Sequence, residues 1–356
     1  MAKVLVTGGA GYIGAHTVVC LREAGHDVTI VDDLRRSDPR VLAGLAAIVG
    51  EEPRVLRVDV GDARALRSAL RGEAGSKARP PFDAVVHFAA YKSVKESVAE
   101  PRRYYRNNVA ATSSLLEVLA ELGVTRLVFS SSCTVYGQPD VLPVTEDSPQ
   151  APAASPYGAT KQMCERMIAD DVAATGSAHL SHAVALRYFN PAGAHPSSHI
   201  GELPLGVPDN LVPFITQTAA GWRDCLQVFG TDYDTVDGTA VRDYLHVMDL
   251  ADAHVAAVGR ILRSEPGVEV FNLGSGRGQS VLQAVEAFER ATGVEVRRVL
   301  AARRPGDVAQ IWSACEKANE VLGWRATRSL DDIMRSAWAW QQTLGSAPPA
   351  VADPAQ

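Results

Sequence analysis

Lys3-Val4-Leu5-Val6-Thr7-Gly8-Gly9-Ala10-Gly11-Tyr12-Ile13-Gly14 decides the fold of this chain. Residues 3–7 read as a buried strand. The glycines read as a tight turn into a helix from about Tyr12 to Ala24, which Gly25 stops. Gly9, Gly11 and Gly14 satisfy G-x-G-x-x-G, and Gly8, Gly11 and Gly14 give a second spacing of three. A turn without side chains lets a pyrophosphate approach the first amides of a helix, where the dipole favours an anion. A lone glycine motif carries little weight. Here Asp32 ends the next strand, 18 residues after Gly14, as a dinucleotide fingerprint requires. Asp32 is expected to accept hydrogen bonds from the adenosine ribose and to repel a 2′-phosphate, which favours NAD over NADP. Arg35 and Arg36 beside it could instead pair with that phosphate. Asp59-Val60 either reaches the adenine, or Asp59 caps the helix that follows.

Outward from this unit, strands are expected at 26–32, 54–59, 84–88, 126–131 and 183–188. Helices are expected at 62–70, at 102–122 and from Tyr157. This alternation predicts an α/β chain, a Rossmann-type doubly wound parallel sheet with a smaller C-terminal α/β substrate lobe. Residues 72–81 and 142–156 read as loops. After Asn190 the pattern breaks into Pro, Gly and Asp clusters, and helices return at 249–262, 280–292 and 331–344 around a strand at 268–273. The expected division is 1–189 plus about 242–275 for the cofactor, and about 190–241 plus 276–342 for the substrate. The Ala/Pro tail 343–356 is expected to be disordered.

The 356 residues are 46% hydrophobic and 21% charged, which supports a large core and argues against disorder. A net charge of −6 argues against a nucleic-acid groove. No apolar run reaches the roughly 18 residues of a membrane span. The five cysteines form no CxxC pair, so neither zinc nor a disulfide framework is expected. With no signal-peptide pattern, a cytoplasmic location is expected. His195 and His199 are four apart but sit in a Pro/Ser-rich loop without a third ligand, so no metal is expected.

Phe129-Ser130-Ser131-Ser132 ends the fifth strand, at the carboxyl edge where open α/β sheets bind ligands. Tyr157 and Lys161 follow, four apart on one helix face. The chain has only six lysines, so this one is conspicuous. Tyrosine titrates near 10, and a base working near 7 must be brought down at a cost of about 4 kcal/mol. A positive charge about 4–6 Å away gives roughly 3–4 kcal/mol at an effective dielectric of 20. Lys161 and an oxidised nicotinamide together could supply it. Ser132, Tyr157 and Lys161 in this order resemble the catalytic set of the short-chain dehydrogenase/reductase superfamily.

The resemblance then narrows. The stretches 87–92, 104–108, 130–137, 155–158, 187–196, 241–250, 272–274 and 303–307 resemble the UDP-glucose 4-epimerase family, and the likeness runs over about residues 3–342. It implies an NAD cofactor, a UDP-sugar substrate and a homodimer through the helices at 102–122 and 157–172. It implies cofactor contacts from Gly8, Gly11, Tyr12, Ile13, Gly14, Asp32, Asp33, Asp59, Val60, Phe88, Ala89, Lys92, Asn107, Tyr157, Lys161 and Tyr188. It also implies substrate contacts. Lys92, Ser132, Tyr157, Asn190, Asn210 and Leu211 would lie near the sugar and phosphates. Gln227 and Phe229 would hold the uracil, and Arg242, Arg304 and Asp307 the diphosphate and ribose. Two arginines can grip a diphosphate through charge-assisted bonds. The implied reaction takes the 4-hydroxyl proton onto Tyr157 through Ser132, moves the C4 hydride to the cofactor, turns the keto sugar over and reverses both transfers.

Three departures stand out. Cys133 replaces the alanine usual after the serine run, either as small packing or as an oxidation-sensitive thiol. Ile311 occupies the position thought to gate sugar bulk, tyrosine in some relatives and cysteine in others, which leaves N-acetylated and uronic UDP-sugars open. The loop 72–81 is longer than usual. A sugar-nucleotide dehydratase of this group would carry Asp-Glu after the catalytic serine or threonine, where Cys133-Thr134 stand here. A non-catalytic dinucleotide sensor would have no use for Ser132, Tyr157 and Lys161.

Overall fold

Val4, Leu5 and Val6 are completely buried in β1 (Lys3–Thr7), because helices cover both faces of a parallel sheet. The computed structural model describes residues 1–73, 80–175, 179–304 and 308–345. Asp307, parts of the loops at 72–81 and 303–307, and the tail beyond 345 lie outside the described residues. The chain continues through α1 (Tyr12–Glu23), β2 (Asp27–Val31), α2 (Arg40–Val49), β3 (Arg54–Leu56), α3 (Ala63–Gly72) and β4 (Ala84–His87). Next come α4 (Val94–Ala99), α5 (Pro101–Tyr104), a π-helical segment Tyr105–Ala110, α6 (Ala111–Leu122), β5 (Arg126–Ser130), α7 (Pro156–Ala173) and β6 (His182–Tyr188). The later part comprises β7 (Asn190–Ala192), α8 (Leu211–Ala219), β8 (Leu226–Phe229), β9 (Val241–Arg242), β10 (Tyr244–His246) and α9 (Val247–Ile261). It closes with β11 (Gly267–Leu273), β12 (Gln279–Ser280), α10 (Val281–Thr292), β13 (Arg298–Ala301), β14 (Gln310–Ile311) and α11 (Leu330–Thr343).

Seven strands form one parallel sheet in the order β11-β6-β5-β4-β1-β2-β3. Alternate residues of β1 serve opposite faces. Val4 and Val6 pack with α1 and α9, whereas Leu5 packs with α3, α6 and α7. A second core joins α8, β8, α10 and α11 around Phe288 and Met334. The remaining strands form small sheets β10-β7, β12-β9-β14 and β13-β8.

Several elements differ from the sequence expectation. The helix expected at 102–122 is present as one continuous run of helical backbone, but Tyr105–Ala110 within it is π-helical, between α5 and α6. There Asn108 donates to Tyr91 O and Thr160 Oγ1 and accepts from Tyr91 N. The third strand stops at Leu56, and Asp59 turns the chain by accepting from Gly61 N at 2.8 Å. Helices α2 and α4 were not expected. In α2, Gly44 sits where a Cβ would come within 2.2 Å of the His199 carbonyl, so this glycine is a packing contact and not a breaker.

Candidate active site

The strand order reverses at β1 and β4, and a cavity of about 310 Å³ opens on the residues that follow their carboxyl ends. Gly8 turns with φ +71°, where a Cβ would meet Ala89 N at 2.6 Å. A Cβ on Gly14 would lie 2.2 Å from the Gly8 carbonyl oxygen, so only glycine lets α1 begin this close to β1. The N-cap Gly11 offers no side chain and the first turn of α1 carries no acid, which leaves that helix end suited to an external anion. Buried Asp32 accepts from Ala10 N and Leu34 N, both at 2.9 Å, while burial holds its carboxyl above the usual range.

Neither neighbouring arginine is poised for a 2′-phosphate. Arg35 is held by Asp33 at 2.8 Å and by Asp59, and Arg36 pairs with Glu96 and stacks 4.8 Å over the Tyr91 ring. The cap of α3 is Asp62, which accepts from Arg64 N and Ala65 N, so the capping alternative for Asp59 falls. All sixteen residues expected at the cofactor line this one cavity. A cradle that a Cβ would fill, an uncapped helix end and a carboxylate at the next strand fit a dinucleotide.

Ser132 follows β5 and caps a single 3₁₀ turn (Cys133–Tyr136), its Oγ accepting from Thr134 N at 3.2 Å and Thr134 Oγ1 at 3.0 Å. Tyr157 and Lys161 come from α7, which Ser155 caps through Gly158 N and Pro156 opens. Lys161 Nζ donates to the Ser130 carbonyl at 2.7 Å and lies 6.0 Å from the Tyr157 ring centre. Burial lowers its ammonium to about 8. Burial pushes the Tyr157 phenol well above its ordinary value, against the nearby Ser132 hydroxyl, which favours the phenolate. In the protein alone desolvation dominates and the Lys161 ammonium is directed at Ser130; the expected lowering of Tyr157 calls for Lys161 and an oxidised nicotinamide together. Tyr188, 2.7 Å from Ser130 Oγ, is raised by burial to about 12. Cys133 is likewise pushed up to about 12, which removes the thiolate that oxidation chemistry needs.

The serine turn is held from beneath by a buried ion pair without an assigned role in the sequence. Glu165 of α7 accepts from Arg187 Nε at 2.9 Å and Nη2 at 2.6 Å, and from Ser131 Oγ at 2.5 Å. Arg187 Nη1 reaches Tyr136 Oη at 3.0 Å, which donates to Asn272 Oδ1 at 2.7 Å. The available signal was an arginine directly after the apolar run Ala183-Val184-Ala185-Leu186 and within the same strand.

Of the expected substrate residues that are described, only Lys92 and Tyr157 line the cavity. The others fall into groups. Asn190 N bonds the Asp243 carbonyl at 2.9 Å, and Arg242 pairs in register with Ile311. Ile311 is buried with Val135, Tyr136, Val144 and Phe189, and Cys133 packs against the same cluster. Gln227 and Phe229 project from one face of β8, and Arg304 stacks 4.7 Å over the Phe229 ring. Asn210 stands at the N-cap position of α8 ahead of Leu211 without a side-chain capping bond, and its Nδ2 donates to Glu202 Oε1 at 2.6 Å. Glu202 also holds Lys92 at 3.0 Å and was missed in the sequence. Among the described residues no group of three or more His, Cys, Asp or Glu is placed to hold a metal. None of their helices is long and apolar enough to cross a membrane.

Fold and site define the short-chain dehydrogenase/reductase class. A family model described as GDP-mannose 4,6 dehydratase matches residues 5–337. UDP-glucose 4-epimerase 2 of Arabidopsis thaliana is 48% identical, over 96% of this chain and 95% of its own. The structure of UDP-glucose-4-epimerase from Stenotrophomonas maltophila with bound NAD and formylated UDP-arabinopyranose is 44% identical with a TM-score of 0.90, covering 97% of this chain and 99% of that one. The enzyme from Bifidobacterium longum, in complex with NAD+ and UDP, is 42% identical with a TM-score of 0.89, covering 96% and 98%. The chain belongs to the UDP-glucose 4-epimerase family.

Proposed function

We propose that this chain interconverts UDP-glucose and UDP-galactose by inverting C4, with NAD as a tightly held cofactor. The observation that carries the reading is convergence: Tyr157 and Lys161 line the same cavity as the glycine turn and Asp32, and the Ser132 hydroxyl is close enough to the phenol to favour its ionised form. When bound, NAD supplies a two-electron acceptor that takes the C4 hydride and gives it back. The glycine turn and the first amides of α1 would hold the pyrophosphate, Asp32 the adenosine ribose, and Asp59-Val60 the adenine.

Tyr157 takes the proton of the 4-hydroxyl, and Ser132 bridges the two oxygens. The buried phenol keeps a high proton affinity in the protein alone, so it returns that proton readily, and its ionisation calls for positive charge in the cavity. Lys161, fixed on Ser130, supplies part of that charge while it stays protonated. Arg242 and Arg304 grip the diphosphate, Gln227 and Phe229 the uracil, and Asn190, Asn210, Leu211 and Asp307 complete the nucleotide hold. A firm grip on the nucleotide and a loose one on the sugar let the keto sugar turn over. Ile311 and Cys133 bound the sugar space with small apolar groups, which admits an N-acetylated or uronic UDP-sugar as a second substrate.

The proposed division is 1–189 with about 242–275 for the cofactor, and about 190–241 with 276–342 for the UDP-sugar. A homodimer through α6 and α7, a cytoplasmic location and a place in galactose metabolism complete the reading. The alternative of dehydration, which the description of the family model suggests, lacks its acid: Cys133 and Thr134 follow Ser132, and Thr134 Oγ1 donates back to Ser132. The test is to offer UDP-galactose, UDP-GlcNAc and UDP-glucuronate to the purified protein without added cofactor. UDP-glucose should form, NAD should be released on denaturation, and Tyr157→Phe should abolish turnover. No interconversion of any of them overturns the proposal.

A further inference from the structure

Glu202 stands where the cofactor cavity meets the start of α8, on a segment whose sequence pattern marks no functional residue. Its backbone is pinned from the far end of the chain. Trp340 Nε1 donates to the Glu202 carbonyl at 3.0 Å, and Gly201 lies so close under the Trp340 ring that a Cβ would meet it at 2.4 Å. The Glu202 side chain is only 10% exposed, and the residue lines the cavity wall. Its Oε1 accepts from Lys92 Nζ at 3.0 Å and from Asn210 Nδ2 at 2.6 Å. Lys92 lies on the cofactor cavity, and Asn210 begins the helix assigned to the sugar and phosphates. A bare carboxylate facing a cavity built for anions would repel its ligand; one that holds an ammonium and an amide presents donors instead.

We propose that Glu202 is a positioning residue that couples cofactor retention to UDP-sugar occupancy, by sharing one carboxylate oxygen between Lys92 and Asn210. The proposal rests on the roles assigned to those two residues above. A phosphate that anchors either donor also orders the carboxylate between them. The second ligand then meets a donor whose ordering has already been achieved, so each ligand strengthens the hold on the other, and by linkage to the same degree.

The experiment measures NAD release from diluted holoenzyme, followed by an NAD-consuming reporter enzyme, with and without saturating UDP. In the wild type UDP should slow release about tenfold. In Glu202→Ala that ratio should collapse to within about twofold of unity. Glu202→Gln, which keeps an acceptor for Asn210 but loses the ion pair, should fall between and serves if the alanine variant does not fold. A purely structural role would change release equally with and without UDP. A wild-type ratio of unity, or either variant keeping the wild-type ratio, overturns the coupling. If the wild type also turns over no UDP-sugar, the functional reading fails instead.

Discussion

Replacing Lys161 by methionine removes a charge that folding buries almost completely. Lys161 is 4% exposed, and its ammonium falls from the ordinary 10.5 to about 8. The protonated form is therefore about 3 kcal/mol less stable in the fold than in the unfolded chain. The unfolded chain holds its proton up to near 10.5, whereas the fold releases it near 8. Between those values the unfolded state binds more protons, so wild-type stability rises with pH. Methionine does not titrate, and the lost hydrogen bond to Ser130 weighs about the same at every pH below 8. The advantage of Lys161→Met over wild type should thus shrink by about 1.3 kcal/mol from pH 7 to pH 9. Urea unfolding of both NAD-free proteins at the two pH values measures it. A stability difference constant within about 0.3 kcal/mol would refute the claim that the ammonium of Lys161 is buried and destabilised.

Arg187→Met leaves Glu165 buried without its bidentate partner, and should cost about 3–5 kcal/mol in thermal or urea unfolding, with a fall in turnover as the Ser131-Ser132 turn loosens. A loss below about 1 kcal/mol would mean that the pair does not hold the end of β5. Cys133 should label slowly with thiol reagents in the native protein at pH 8, because desolvation pushes its thiol up to about 12, and mass mapping of the labelled chain reads this directly. Rapid labelling of Cys133 would contradict the burial that raises it.

What could be read from the sequence depended on short-range chemistry. The glycine turn, the strand after it and the Tyr157–Lys161 spacing each lie within a few residues, so their geometry follows from local rules. Side-chain partners across the fold did not. Nothing in the sequence tells Arg36 to find Glu96, 60 residues away, or Lys92 to find Glu202, 110 residues away. Those pairings nonetheless give Arg36 a partner other than a 2′-phosphate and place an acid in the cavity wall. Gly44 and the π-helical segment were illegible for the opposite reason. Each breaks a local helix rule to satisfy a tertiary contact, Gly44 against His199 and Asn108 against Tyr91 and Thr160.

The seventh strand carries a consequence for how the molecule is made. β11 pairs with β6 over seven residues, yet it emerges only after α8, β8 and α9. A nascent chain that has reached residue 189 has its glycine turn and catalytic pair complete, but β6 is an open parallel edge and α1 lacks the cover of α9. Until residue 273 leaves the ribosome, that edge is a template for another chain. Fragments of the cofactor half alone should therefore aggregate, and the natural order of synthesis holds the first half in waiting for a strand that the second half delivers.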